Sequence, residues 1–483
     1  VEDRADLRQP ADNPGAQPVE SLSEKTLNKY LLKATGVGAL GGLLFGFDTA
    51  VIAGTTEQLT RVFHLTTGGT GHVGSILQLF NLPANTLGLT VSIGLVGTVI
   101  GAMGSGALGQ KIGGREALRI MAFLYLVSSI GCAFAPTWTI LMIARFVGGL
   151  GIGGSSVLGP VYIAELAPAK WRGRMVGTFQ INIVIGILLA YLSNYIITTL
   201  HLGLREWRWE FGVAIIPSVL FLILLYGIPR SSRWLVTTNQ TDEALDVLKL
   251  MGSPNSEEEL QEIIASVQLE SHMKSEPLFQ RKYGLPIFLA ISIGMFNQLS
   301  GINAILYYSN SIFASAGFSS TSAALQSVAI GLVNLLATFL GMVLIDKVGR
   351  KTLLLVGALG MVVALGGVAA IFYTDQHQAL LVWCLVGFIA FFAVSQGAVI
   401  WVYLSEVFPT RVRSKGQSLG SSSHWVMNAL IAQVFPFIAY RSHAAPFVFF
   451  AAMMLVQFFV VLFVYPETKQ RSLEQIQTQF GIH

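Results

Sequence analysis

Twelve stretches of mostly apolar sequence recur along this chain. Each is close to the roughly 20 residues that a helix needs to cross the hydrocarbon core of a bilayer. They run near 31–54, 82–109, 116–135, 138–164, 175–199, 210–228, 285–313, 324–345, 352–373, 379–405, 417–439 and 445–465. Backbone amides in lipid must be satisfied within the segment that carries them, so spans of this kind are helices. Composition agrees: 53% of the 483 residues are hydrophobic and 12% are charged, where soluble proteins carry about 25% charged residues. The sequence predicts an all-α membrane protein with twelve transmembrane helices.

Loop charge orients the spans. Segments assigned to one side hold 25 of the 30 Lys and Arg residues, among them Lys33, Lys111, Arg115, Lys170, Arg230, Lys347, Lys415 and Lys469. The other side holds Arg61, Arg205, Arg208 and Arg441, and Arg145 lies within a span. Cytoplasmic loops carry such an excess, so both termini are expected in the cytoplasm of a multi-pass protein of the cell (inner) membrane. The net charge of +4 is loop bias and suggests no nucleic-acid partner. Residues 1–28 are polar, mixed in charge and contain Pro10, Pro14 and Pro18, which reads as a disordered tail and not a signal peptide. Cys132 and Cys384 lie in apolar spans without metal-ligand spacing and read as packing residues.

The longest internal polar interval, about 229–284, has helical patterning of its own. Asp242 to Met251 reads as a helix stopped by Gly252. Ser256 and Glu259 form a capping-box pattern ahead of Leu260, Ile263, Ile264 and Val267. Cytoplasmic amphipathic helices under the membrane domain are expected there. On either side of this linker the chain repeats itself. Glu165-Leu-Ala-Pro168-Ala-Lys-Trp-Arg172 matches Glu406-Val-Phe-Pro409-Thr-Arg-Val-Arg413 at an offset of 241 residues, and Gly113-Gly114-Arg115 matches Gly349-Arg350-Lys351 at 236. Two six-helix bundles in the same orientation form a parallel repeat, with a ligand site between them near mid-membrane. The expected divisions are a tail 1–28, bundles 29–228 and 285–466 around a linker 229–284, and a cytoplasmic tail 467–483.

Span seven is polar in its middle: Asn297 to Tyr308 reads NQLSGINAILYY. Amides in hydrocarbon cost free energy unless they are partnered. Asn297, Gln298, Ser300, Asn303, Tyr307 and Tyr308 are therefore expected to face protein or a water-filled cavity. On a regular helix Ser300, Asn303 and Tyr307 share one face. Gln298 lies off that face, and a bend at Ser300-Gly301 brings both sets to one cavity. Uncharged donors and acceptors suit a neutral polyhydroxylated ligand; the plainer alternative is that the amides only tie helices together.

The pieces GGLLFGFDTAVIAG (41–54), RFVGGLGIGG (145–154), AELAPAKWRG (164–173), QLSGINAILYYS (298–309), IDKVGRK (345–351), SEVFPTRVR (405–413) and PETK (466–469) stand in this order. Over about residues 30–470 the chain thereby resembles the bacterial sugar porters of the major facilitator superfamily. The resemblance implies the major facilitator fold and a monomeric carrier that imports a monosaccharide by alternating access, with no cofactor, no metal and no enzymatic chemistry. Carried over residue by residue, it implies sugar contacts at Phe45, Gln180, Asn297, Gln298, Asn303, Tyr308, Asn334, Trp401 and Trp425. It implies proton coupling at Asp48, because proton-coupled members carry aspartate there and facilitative carriers asparagine. It also implies a cytoplasmic gate of Glu165, Arg172, Asp346, Arg350, Glu406 and Arg413 that bridges the halves when the carrier opens outward.

The residues themselves add to this. Asp48 and Arg145 each sit within a span, where an ionised group costs about 2.5–3.5 kcal/mol, so each is most simply the other's partner. Trp rings stack on the apolar face of a sugar while amides bond its hydroxyls. Ile187, Asn297, His424 and Gly397-Ala398 depart from the xylose-symporter pattern, which favours a hexose, D-glucose first, over a pentose. Ala214 stands where that branch has a glutamate in span six, so proton-independent facilitative uniport stays open beside symport. A non-transporting sugar sensor is the third reading. Gln110 and Gly114 depart from the family's first-half loop, so the gate network is expected to lean on the second half.

Overall fold

The computed structural model describes residues 28–69, 84–168, 171–272, 276–409 and 412–469. The expected disordered tail up to residue 27, Lys170, Arg411 and the tail beyond residue 469 lie outside the described residues. Among those described, eleven helical segments are long and apolar enough to cross a membrane. Spans one to six are Lys29–Phe63, Thr86–Ile112, Gly114–Phe134, Trp138–Leu166, Arg172–Thr199 and Gly203–Gly227. Spans seven to ten are Arg281–Tyr307, Ser320–Val348, Arg350–Thr374 and Gln378–Glu406, and span twelve is Ala445–Val464. The twelfth helix of the expected set, span eleven, is Arg413–Arg441. It has the length but not the hydropathy, because Ser, His, Asn and Gln side chains interrupt it. It packs between Thr86–Ile112 and Gly284–Leu299, so protein on both sides takes up that polarity. One short strand pair, Thr67–Gly69 with Ala84–Asn85, is the exception to an all-helical fold.

Helix packing repeats between the halves. Span one lies on five, two on four, and three on four; span seven lies on eleven, eight on ten, and nine on ten. The halves meet through spans two and eleven and through spans five and eight, two contacts that exchange when each span is advanced by six. The fold is therefore two six-helix bundles of one topology related by a pseudo-two-fold axis, as the sequence repeat requires.

Close approach of small residues sets the crossings. Where span two meets span four, a Cβ at Gly149 would fall on the carbonyl oxygen of Gly94. A Gly149→Val variant must push a backbone aside, and overpacking of this kind costs about 1–3 kcal/mol even where side chains yield. We expect it to lower the melting temperature in detergent sharply or to remove folded protein. Gly104→Val, which meets nothing within 4 Å, should leave it unchanged. Equal melting temperatures for the two variants would show that the crossing does not depend on the missing side chain.

The linker forms helices Ser232–Thr237, Thr241–Leu250 and Ser256–His272. Gly252 follows the second with φ 78°, as a helix stop requires. Ser256 opens the third helix, and Glu259 accepts from the Ser253 hydroxyl at 2.6 Å. Leu235, Val247, Leu248, Met251 and Leu260 pack into one apolar cluster with Leu31, Leu118 and Tyr162. The linker thus covers the end of the first bundle that carries the basic loops.

Candidate functional site

Span seven is broken where its polar run begins. The helix Gly284–Leu299 stops at Ser300, and Gly301 takes φ 84° before the helix resumes at Ile302. Only glycine enters that region without strain. A Cβ there would also strike the Phe450 ring. The break resets helical phase, so the face-sharing expected across it does not hold. A second interruption at Tyr308 precedes Ser309–Ser315. The two tyrosines consequently part company. Tyr307 faces span eleven, where its hydroxyl pairs with Asn428 at 3.1–3.3 Å. Tyr308 stacks on Phe435 at 5.2 Å and donates to the Ala432 carbonyl at 2.9 Å.

Between the bundles lies a pocket lined from spans one, two, four, seven and eleven. Phe45, Asp48, Thr98, Arg145, Tyr307 and Trp425 are among its walls. Phe45 and Trp425 meet across the two bundles at 5.4 Å between ring centroids. Trp425 then meets His424 edge-on at 5.0 Å, and His424 meets Trp401 at 5.3 Å. Gln298 Nε2 bonds the His424 ring at 3.2 Å and the Asn297 Oδ1 at 3.1 Å, while Gln298 Oε1 accepts from Asn303 Nδ2 at 3.0 Å. The amide run of span seven and the histidine of span eleven therefore form one buried hydrogen-bonded group beside the aromatic wall.

Asp48 and Arg145 come together on that wall. The nearest guanidinium-to-carboxylate distance is 3.8 Å, longer than the ~2.8 Å of a tight charge-assisted bond. Arg145 is held independently: its Nε donates to the Thr90 carbonyl at 3.0 Å, and its guanidinium lies 5.6 Å from the Phe211 ring. Its Nη1 is buried without an acceptor. The Asp48 side chain is 30% exposed and the Arg145 side chain 4%. A fixed cation thus faces a carboxylate that borders the cavity.

Of the residues expected to contact sugar, Phe45 and Trp425 line this cavity, and Asn297, Gln298, Asn303 and Trp401 belong to the adjoining group. Tyr308 does not line the cavity: its ring and hydroxyl turn to Phe435 and the Ala432 carbonyl of span eleven, and Tyr307 lines it. Asn334 is buried in span eight and Gln180 half-buried in span five, and neither lines it. Asn194, fourteen residues along span five from Gln180, donates to the Val51 carbonyl at 3.1 Å. In span ten, the Gly397-Ala398 stretch carries a π-helical turn over Ala393–Gly397, an irregularity that periodicity alone does not predict.

At the basic end, Arg350 pairs with Asp346 at 3.1 Å and Glu406 at 2.8 Å, and Glu406 accepts from Thr468 at 2.6 Å. These contacts stay within the second half. Glu165 neighbours Ser231 and Arg233, Arg172 is exposed, and Arg413 Nε donates to the Phe408 carbonyl at 3.3 Å. The first half has a network too, which sequence reasoning missed. Glu116 bonds Arg115 and Arg119 at 2.5 Å each, with Arg230 at 3.7 Å. At the opposite end, hydrogen bonds join the bundles: Thr56 to Ser311 at 3.1 Å, Ser92 to Gln433 at 2.8 Å, Tyr191 to the Leu306 carbonyl at 2.7 Å, and Asn85 and Gln433 to each other's backbone oxygens.

Two repeated six-helix bundles around a polar, aromatic-walled cavity define a multi-pass membrane carrier of the major facilitator fold. The chain belongs to the sugar (and other) transporter family, whose sequence model matches residues 34–480. It is 34% identical over 482 residues to the D-xylose-proton symporter of Escherichia coli (strain K12), covering 93% of this chain and 96% of that one. It is 33% identical over 483 residues to a glucose transport protein of Synechocystis sp., covering 95% and 100%. Among solved structures, a partially occluded inward-open conformation of the Escherichia coli xylose transporter XylE superposes with a TM-score of 0.79 at 32% identity, over 92% of this chain and 100% of that one.

Proposed function

We propose that this protein is a secondary active transporter that imports a monosaccharide together with protons by alternating access. D-glucose is the first candidate cargo. Relatives of comparable identity carry the names of xylose–proton and arabinose–proton symporters as well as glucose transporters, and this breadth supports the sugar class. The observation that carries the reading is the Asp48–Arg145 pair, held at 3.8 Å on the wall of a cavity between the two bundles. A loose ion pair beside the cavity leaves its carboxylate open to protonation, and rocking of one bundle on the other, which opens and closes the cavity around the pair, changes its access to protons. Arg145 Nη1, Tyr307 and the Gln298–His424 group supply donors and acceptors for sugar hydroxyls, and the Phe45–Trp425 wall takes the apolar face of the ring. Bonds between the bundles opposite the basic end support an inward-facing state, and we take both termini as cytoplasmic and the carrier as a single copy in the inner membrane. When the carrier turns outward, Arg172, Arg413 and Glu165 come together with the Arg350–Glu406 group as its inner latch.

Proteoliposomes holding the wild-type protein test this with labelled D-glucose, D-xylose and L-arabinose. We expect an inward proton gradient to drive at least one sugar above its outside concentration, and a protonophore to collapse the gain. Uptake that only equilibrates with or without the gradient would make the protein a uniporter. Binding without uptake would favour a sensor.

A further inference from the structure

Glu210 lies in span six, fully buried, and neither carboxylate oxygen has a hydrogen-bond partner among the described residues. Two other orphaned atoms occur in this part of the first bundle, Asn194 Oδ1 and Trp207 Nε1. Glu210 and Asn194 converge on Gly54 of span one. A Cβ there would come within 2.5 Å of Glu210 Oε1 and 2.6 Å of Asn194 Nδ2. Gly54 is six residues beyond Asp48, about 9 Å along the helix toward the end opposite the basic loops. This is a separate place from the Asp48–Arg145 pair.

The count of donors and acceptors decides the chemical form. An ionised Glu210 presents only acceptors, which with Asn194 Oδ1 leaves three orphan oxygens against one orphan donor, Trp207 Nε1. Among the described residues no cation is placed to offset a charge. Arg208, on the same helix, gives its guanidinium to the Ala133 and Ala135 carbonyls at 3.0 and 2.9 Å. Arg145 is held by Thr90 and Asp48. Arg61 pairs with Glu57 in an exposed position on span one. The remaining titratable groups nearby make matters worse or stay neutral: Glu206, one turn back, accepts from Gln58 Nε2 at 2.6 Å, and Cys132 of span three is buried. A proton on Glu210 converts one acceptor into a donor and brings the orphans to two of each.

We propose that Glu210 is a second proton-binding site, occupied in this conformation, with the proton drawn from water at the end opposite the basic loops when that end opens. Its role in transport rests on the symport reading; its occupancy does not. The test is infrared spectroscopy of the reconstituted protein at neutral pH, with hydrogen–deuterium exchange to mark protonated carboxyl carbonyl bands. We expect such a band in the wild type and in Asp48→Asn, and its loss in Glu210→Gln and in Glu210→Leu, either of which suffices. Absence of the band from the wild type, or its persistence in a Glu210 variant, overturns the proposal. A band that Glu210→Gln removes, in a protein whose uptake ignores the proton gradient, would keep this site and defeat the symport reading.

Discussion

Asp48→Asn is expected to abolish gradient-driven accumulation while leaving sugar exchange within a few-fold of wild type. Asparagine keeps the shape of the side chain and removes the one charge in the cavity wall that a proton can cancel. Arg145 keeps its bond to Thr90 and its place over Phe211, so the wall survives. One pH unit of gradient is worth about 1.4 kcal/mol per proton, or about a tenfold accumulation at one proton per sugar. The variant should reach a ratio of about one under the same gradient. Counterflow of labelled sugar measures exchange separately. Continued accumulation by the variant would remove Asp48 from the coupling path. Loss of exchange together with accumulation would mean that the pair is structural, since a buried cation left alone is itself destabilising.

The sequence was most legible where physics acts on whole helices. Apolar length located the spans, basic loops divided their ends, and the repeats Glu165–Arg172 and Glu406–Arg413 announced two equivalent bundles. The Asp48–Arg145 pairing was legible because lipid makes unpaired charges costly. What stayed hidden depended on single backbone angles. The positive φ at Gly301 breaks span seven inside its polar run, and at the cavity Tyr307 stands where the resemblance implied Tyr308. Trp207 is buried between Phe63 and Phe211, while Trp209 is 61% exposed; two residues of spacing place them on different faces. Glu210 went unread for another reason. It falls in the first turns of span six, among Glu206, Arg205 and Arg208, where a charge looks like a loop residue. The family resemblance puts a span-six carboxylate at Ala214, one turn further on. Only the packing of Gly54 and Asn194 against it shows that it is fully buried.

A cross-link between Thr56→Cys and Ser311→Cys should stop transport entirely and reversibly. The two hydroxyls lie 3.1 Å apart at the end opposite the basic loops, one from each bundle. A disulfide needs Cβ atoms about 3.5–4.5 Å apart, which side-chain oxygens in contact make accessible. Each hydrogen bond joining the bundles there has a net worth of about 0.5–1.5 kcal/mol, so together they make a clasp that thermal motion and sugar binding open. A covalent bond in the same place holds the state shut. Oxidised double-cysteine protein should retain sugar binding from the basic side and show no uptake above empty liposomes, while reductant restores wild-type rates. Each single-cysteine variant should transport normally, because it lacks the partner thiol on the other bundle; the native Cys132 is buried. Full transport by protein shown to be cross-linked would mean that this end does not open in the cycle, and alternating access through the cavity would have to be abandoned.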